Sequence, residues 1–371
     1  MTSDLVRLFL CGDVMAGRGI DQVLPHPSDP LLHEGYMSSA LHYVELAEQA
    51  NGPIPRPVDF AYVWGDALTE LERMSPAVRI VNLETAVTRS DDWLPKGINY
   101  RMHPENVACL KAAAIDCCVL ANNHVLDWGR SGLTETLETL QKAGITTAGA
   151  GRDAAEAAAP AIQPIGSRNR IVTFAFASPT SGIPRDWAAG VHTPGVNLLD
   201  EGTVERIASD VRRVKQPGDI FLASLHWGGN WGYEIPREQM LLAHRLIDEA
   251  DIDVVHGHSA HHPKGIEVYA GRLVLYGCGD FLTDYEGIEG HEEFRGDLAL
   301  MYFPTLDPSE GRLVRLDVTP LQIRRFRLNR ASKEDVGWLR DTLDRECAKL
   351  GTRVESTADD RLGLGWPDGA P

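Results

Sequence analysis

The nine residues Val254-Val255-His256-Gly257-His258-Ser259-Ala260-His261-His262 constrain this chain more than any other stretch. An apolar run ends there, and four histidines follow within seven positions. Ile247, Ile252, Val254 and Val255 read as the end of a helix followed by a buried strand. The histidines therefore leave a sheet together, at the C-terminal end of a strand. Open α/β sheets place their ligands at such ends. One turn of this kind is more often made of packed or surface histidines than of ligands. Here the arrangement recurs.

The run 8–13 closes on Asp13, and 80–84 closes on Glu84. The run 117–124 closes on Asn122, Asn123 and His124. Residues 221–226 close on His226, and 273–280 close on Asp280. Six apolar runs, each ending in a potential ligand or acid/base, predict one site built at the ends of several strands.

The remaining pattern fits that reading. A chain of 371 residues with 43% hydrophobic residues can bury a large core. A formal net charge of -17 argues against nonspecific nucleic-acid binding. The N-terminal residues lack the basic start and long apolar core of a signal peptide, and no stretch approaches the roughly 18 apolar residues of a membrane span. The six cysteines show no C-x-x-C spacing. The expectation is a cytoplasmic protein with reduced thiols, no membrane partner and no nucleic-acid partner.

Along the chain, 18–60 reads as a long, proline-containing insertion with one helical patch at 39–49, and such loops commonly shape a pocket. Helices are expected at 131–143, 203–214, after Pro236 and at 333–350. An antiparallel pair is expected at 298–303 and 313–318. Gly149-Ala150-Gly151-Arg152-Asp153-Ala154 matches G-x-G-x-x-A after a strand. No acidic residue ends a strand about 20 residues on, so a turn feeding an Ala-rich helix is the better reading. His244, in mid-helix, reads as a packed or surface residue. The organisation expected is one catalytic domain over 1–330, then a C-terminal helix and loose tail over 331–371.

If Asp13, Glu84, Asn123, His226, His258 and His261 converge, two carboxylates share a pocket and repel each other. A divalent cation resolves the conflict. Carboxylate, amide oxygen and imidazole without thiolate suit manganese, zinc, iron or calcium. Six ligands are too many for one tetrahedral zinc and suit a pair of metals.

Gly12-Asp13, Asn82-Leu83-Glu84, Asn123-His124, His226-Trp227-Gly228 and Gly257-His258-x-x-His261 resemble the motif series of calcineurin-like metallophosphoesterases. More closely they resemble the CapA, or poly-γ-glutamate capsule synthesis, family over about residues 6–305. The resemblance implies an α/β fold, a four-layer α/β/β/α sandwich, with a two-metal site at the strand ends. It implies the ligands Asp13, Glu84, Asn123, His226, His258 and His261. Three departures stand out. Met15 occupies the place of the usual histidine two residues after the Asp. The usual G-H-H-P-H is Gly257-His258-Ser259-Ala260-His261-His262, which leaves His256, His261 and His262 as alternatives for one ligand. The usual Asn of the last motif is Asp280.

Capsule-synthesis members are typically exported or anchored, whereas this chain is similar in length and motif set to lasso-peptide epimerases on the same scaffold. The leading expectation is a metal-dependent epimerase inverting a peptide Cα beside a C-terminal carboxylate. The alternative is a phosphoesterase or an amide-bond hydrolase. His124, His291 and Asp13 are the candidate acid/base groups. Trp227, Trp231, Tyr233, Trp64 and Trp93 are candidate contacts for a peptide substrate, one with a C-terminal aromatic residue included. Arg18 and Arg101 are the candidates to contact a phosphate.

Overall fold

The computed structural model describes residues 5–367. It is a mixed α/β fold with two large mixed sheets. The first sheet runs in spatial order Arg353–Thr357, Arg361–Gly365, Arg312–Ile323, Leu298–Asp307, Val6–Val14, Val78–Leu83, Cys117–Val119, Thr146–Ala148. The second runs Ile266–Tyr269, Arg272–Leu275, Val254–His258, Asp219–His226, Asn169–Ala177, Ala161–Ile165.

Val6–Val14, Val78–Leu83, Cys117–Val119 and Thr146–Ala148 run parallel in the first sheet, and Asn169–Ala177, Asp219–His226, Val254–His258 and Arg272–Leu275 in the second. The flanking hairpins are antiparallel. Parallel strands send their C-terminal ends in one direction, so each sheet gathers its polar strand ends at one edge.

Side-chain alternation shows how the second sheet is covered. In Asp219–His226, Ile220 and Leu222 join a core shared with Leu8, Leu10, Ile80 and Val119 of the first sheet. Phe221, Ala223 and Leu225 point the other way. There they meet Val204, Ile207 and Val211 of the helix Thr203–Val214, and Ala243, Leu246 and Ile247 of the helix Arg237–Ala250. Each large apolar side chain buried this way contributes roughly 1.5–3 kcal/mol relative to exposure. The same parity decides the site. Continuing along the shared-core face past Leu222 brings Ser224 and then His226. Past Val254 it brings His256 and then His258.

Most expected helices are present, including Leu41–Asn51, Gly129–Lys142 and Lys333–Ala348. Two expectations need correction. The insertion after the first strand opens with a short helix, Arg18–Val23, that its Gly-containing sequence does not advertise. Residues 351–365 are not a loose tail. Arg353–Thr357 and Arg361–Gly365 form a hairpin that extends the first sheet. Val354, Leu362 and Leu364 face inward while Arg353 and Glu355 face solvent, a period-two pattern hidden by its polar composition. Residues 368–371 of the expected tail lie outside the described residues. The Ala154–Ala158 turn-and-helix after Gly151 is present, and all six cysteines are buried and free. Among the described residues, no helix is long and apolar enough to cross a membrane.

Candidate metal centre

Register brings the strand ends together. Asp13 pairs with Asn82 on one side and Asp280 on the other. In the second sheet, His226 pairs with His258, and Ser224 with His256. The close fit at Asp13 depends on Gly12, because a Cβ there would overlap the Gly279 carbonyl oxygen. That carbonyl accepts from the Asp13 backbone N–H at 3.1 Å.

Asp13, His226 and His258 place one ligand atom each within 4.8 Å of one another, all buried. His226 Nδ1 and His258 Nδ1 face each other at 2.8 Å. Asp13 Oδ1 lies 3.8 Å from His258 Nδ1. Glu84 Oε1 lies 3.8 Å from His226 Nε2 and 3.9 Å from His124 Nε2. The Asn82 amide joins the two carboxylates: its Nδ2 donates to Asp13 Oδ1 at 2.7 Å and to Glu84 Oε2 at 3.1 Å. The Ser259 N–H donates to Asp13 Oδ2 at 3.2 Å. Ser259 does so with φ of 100°, a backbone conformation that non-glycine residues hold only where the surroundings enforce it.

His226 Nε2 is buried with no hydrogen-bond partner among the described residues, and so is Oδ1 of Asn123, the residue before His124. Leaving such an acceptor unpaired costs about 1–3 kcal/mol. Burial, then the charge of Asp280, raises Asp13 to about 7. Burial, then Asp13 and Asp280, pushes Glu84 upward as well. Burial holds His226 and His258 well below their ordinary value, so both are neutral at pH 7. Neutral imidazoles, an orphaned amide oxygen and two carboxyls that repel each other are what a divalent cation satisfies. The residues therefore fit a metal at Asp13, His226 and His258, with Glu84 beside them.

A pH dependence follows. Because Asp13 holds a proton that a cation must displace, affinity should weaken as pH falls through about 7, and Glu84, pushed upward as well, adds to that loss. Calorimetric titration with Mn²⁺ in buffers of different ionisation enthalpy would count the released protons. Uptake with no proton release at pH 6 would contradict this.

Histidine–carboxylate pairs flank the cluster. His124 Nδ1 bonds Asp127 Oδ2 at 2.7 Å. Lys96 Nζ donates to Asp127 Oδ1 at 2.7 Å and to the Asn123 carbonyl. Burial lowers His124 to about 4, with the Asp127 charge opposing and Lys96 assisting. His261 Nδ1 contacts both Asp280 oxygens, at 2.9 and 3.1 Å. Burial lowers the His261 value, but the Asp280 charge, its hydrogen bond and the Asp13 charge together outweigh it and the net shift is upward. His261 is thus held by Asp280 and stands outside the three-residue cluster. The ring of Tyr100 meets His124 edge-on at 4.7 Å, and that of Tyr285 meets His261 at 5.6 Å. The two phenols bond each other at 2.9 Å. Tyr285 Oη also lies 3.7 Å from Met15 Sδ, so Met15 fills a packed position rather than leaving a gap.

The remaining candidates fall elsewhere. His256 and His262 have both ring nitrogens engaged, His256 by Ser224 and the Cys11 carbonyl, His262 by Gly232 N–H and the Pro263 carbonyl. His291 is exposed and stacks on Trp231 at 4.2 Å, and Trp231 in turn lies 5.1 Å from His261. One aromatic ring thus separates His291 from the nearest histidine of the site. Arg18 is buried, bonded to Asp284, Glu34 and Tyr43, so its charge is already neutralised. Arg101 is held by Asp91 and stacks on Trp128. Neither arginine is free for a phosphate. Trp64 and Trp227 are core residues whose indole N–H groups bond the Cys109 and Tyr276 carbonyls, whereas Trp231 and Trp93 stay partly exposed. Lys96, Asp127 and Ser224 were not singled out by the sequence, and Asn82 was read only as part of a motif, without a role. Asp127, one helical turn after His124, carried the only local signal.

The Bacterial capsule synthesis protein PGA_cap family matches residues 7–285. A "Probable polyglutamine synthesis accessory protein" of Mycobacterium tuberculosis (strain CDC 1551 / Oshkosh) is 47% identical over 364 residues, covering 97% of this chain and 96% of that protein. The "PGA biosynthesis protein CapA" of Bacillus subtilis (strain 168) is 28% identical over 87% of this chain and 73% of its own length. The "Capsule biosynthesis protein CapA" of Bacillus anthracis is 26% identical over 62% of this chain and 53% of its own length. With the match covering most of the sequence and every strand end described above, the chain belongs to the bacterial capsule synthesis protein PGA_cap (CapA) family.

Proposed function

We propose that this protein is a metal-dependent enzyme that hydrolyses an amide bond beside a carboxylate in a glutamyl-type peptide polymer. The carrying observation is the buried Asp13–His226–His258 cluster with the His124–Asp127 pair against it. The names of the relatives, concerned with polyglutamine synthesis, PGA biosynthesis and capsule biosynthesis, support the polymer as substrate. Arg18 and Arg101 are both engaged by carboxylates, which weighs against a simple phosphate ester. The same reading places the sheets and helices in a four-layer α/β/β/α sandwich, supported by the shared core and the helix-covered second core.

Asp13, Glu84, Asn123, His226 and His258 would hold one or two cations, and the imidazole nitrogens favour manganese, iron or zinc over calcium. Bound cations would supply Lewis acidity toward the acyl oxygen and a water acidified toward neutral pH. The chain's own residues do the rest. Asp127 accepts the Nδ1 proton of His124, which leaves the His124 Nε2 lone pair facing the site. Nε2 takes a proton from the attacking water and returns it to the leaving nitrogen. Lys96 pairs with Asp127 and holds the Asn123 backbone in place. Trp231, beside His261, offers apolar surface for the peptide.

A second reading, epimerisation at a peptide Cα, is favoured by one specific feature. Two carboxylate-backed histidines, His124 and His261, flank the cluster from different sheets. That is the arrangement in which one base removes the Cα proton and a second acid returns one to the other face.

One experiment separates the readings. Metal-loaded protein is incubated in deuterium oxide with γ-glutamyl oligomers and with peptides, and followed by mass spectrometry and chiral analysis. Cleavage without Cα deuteration is the expected result, and His124→Asn should lower it by about 10²–10⁴-fold with metal content retained. A gain of one mass unit with a D-residue and no cleavage would establish epimerisation instead. Neither change with manganese, iron or zinc would overturn the proposal.

A further inference from the structure

The geometry points to Ser224 and His256 as positioning residues that fix His258 in the tautomer with its proton on Nε2 and its Nδ1 lone pair facing Asp13 and His226. This rests on the metal reading only for its consequence. The tautomer itself follows from hydrogen bonds within the protein.

The chain of bonds begins at a group that can only accept. The Cys11 carbonyl lies 2.8 Å from His256 Nε2, so that nitrogen carries a proton. His256 is completely buried, and its ring bonds are to the Cys11 carbonyl and the Ser224 hydroxyl, with no carboxylate partner among the described residues. A second proton on its ring would be a buried charge without a counterion, a cost of several kcal/mol. His256 Nδ1 is therefore a lone pair. Ser224 Oγ, 3.1 Å away, must donate to it. The hydroxyl has one proton, now committed. Its remaining contact, His258 Nε2 at 2.9 Å, must then donate to the oxygen. His258 Nδ1 is left as a lone pair, 2.8 Å from His226 Nδ1 and 3.8 Å from Asp13 Oδ1.

Sheet register makes this possible. Ser224 pairs with His256 and His226 with His258 in the parallel ladder. Residues two apart share a face, so all four side chains lie on the face turned toward Cys11 of the first sheet. Gly257 between the histidines occupies the other face, where a Cβ would press on the Leu275 and Tyr276 carbonyls and on the Trp227 indole nitrogen. The relay thus transmits the position of the first sheet's backbone, through two side chains of the second, to one candidate ligand. Partners of this kind set ligand orientation and basicity, and removing them typically lowers metal affinity about 10–100-fold.

The test has two parts. Nitrogen-15 histidine spectra of the metal-free wild-type protein should place the His258 proton on Nε2, and a proton on Nδ1 alone would overturn the relay. Calorimetric titration with Mn²⁺ and with Zn²⁺ alone should show Ser224→Ala weaker than wild type by about 10–100-fold, with Ser224→Thr restoring most of the difference. Wild-type affinity in Ser224→Ala would overturn it. If the wild type binds neither ion, the metal reading fails, while the wild-type spectra still decide the tautomer.

Discussion

Glu84→Gln is expected to make the metal-free protein more stable while removing tight metal binding. Glu84 is buried beside Asp13, and burial with the neighbouring carboxylates penalises its charge. A glutamine keeps the carbonyl that accepts from Asn82 Nδ2. Its new N–H₂ would face His226 Nε2, 3.8 Å from the present Oε1 and without a partner. Removing the cost of keeping a buried carboxyl protonated at neutral pH and pairing an orphaned acceptor should together stabilise the metal-free fold by about 1–2 kcal/mol. In the melting temperature that is an increase of about 2–4 °C. Metal affinity should fall on the order of 100-fold or more, because the variant loses an anionic donor. In saturating metal the order reverses. A cation present at about 1,000 times its Kd stabilises the wild type by about 4 kcal/mol, and the variant gains little. Thermal melts of both proteins with chelator and with Mn²⁺ check the crossing. Parallel losses of stability in both conditions would mean that Glu84 serves the fold and not a cation.

Gly12→Ala is expected to have the largest effect on folding of any single methyl group added near the site. The Gly279 carbonyl would have to move away from the new Cβ, and Gly279 is itself in a left-handed turn, φ 78°, pressed against Pro263. The shift would break the Asp13 N–H to Gly279 carbonyl bond and separate Asp13 from Asp280. Overpacking of this kind costs typically 1–3 kcal/mol, and with the lost backbone bond about 4 kcal/mol is a fair scale. Chemical denaturation measures the stability, and elemental analysis the metal. Wild-type stability and metal content in the variant would show that this close approach is not required.

The strand ends were legible because two signals coincide there. Apolar runs mark buried strands, and a polar residue that ends such a run must have a reason to be buried. Asp13, Glu84, Asn123, His226 and His258 all carried both signals. His261 carried the polar signal, but its place depends on Asp280, a contact between strands far apart in sequence. The same holds for Lys96, which reaches Asp127 across 31 residues of sequence, and for Asn82, whose amide reads as an ordinary strand residue until both carboxylates are beside it. His256 looked like an equal alternative to His261 and His262. Only the Cys11 carbonyl, 245 residues away, shows that its ring faces the backbone. Aromatic residues were the least legible. Trp64 and Trp231 both lie in loops or short turns, yet one is sealed in the core and the other stays partly exposed beside His261. Local pattern reports burial along one element. It does not report which partner covers a side chain arriving from another.

The account stands on the strand-end cluster being a divalent metal centre, and direct metal binding tests this most simply. Protein stripped with chelator is titrated with Mn²⁺, Fe²⁺ and Zn²⁺, and metal content is measured on the reloaded wild type and on His226→Ala. The wild type should take up at least one cation per chain and His226→Ala should lose it, with the apparent affinity falling below pH 7. A stripped wild type that binds none of these ions, or keeps full turnover without them, would contradict the account.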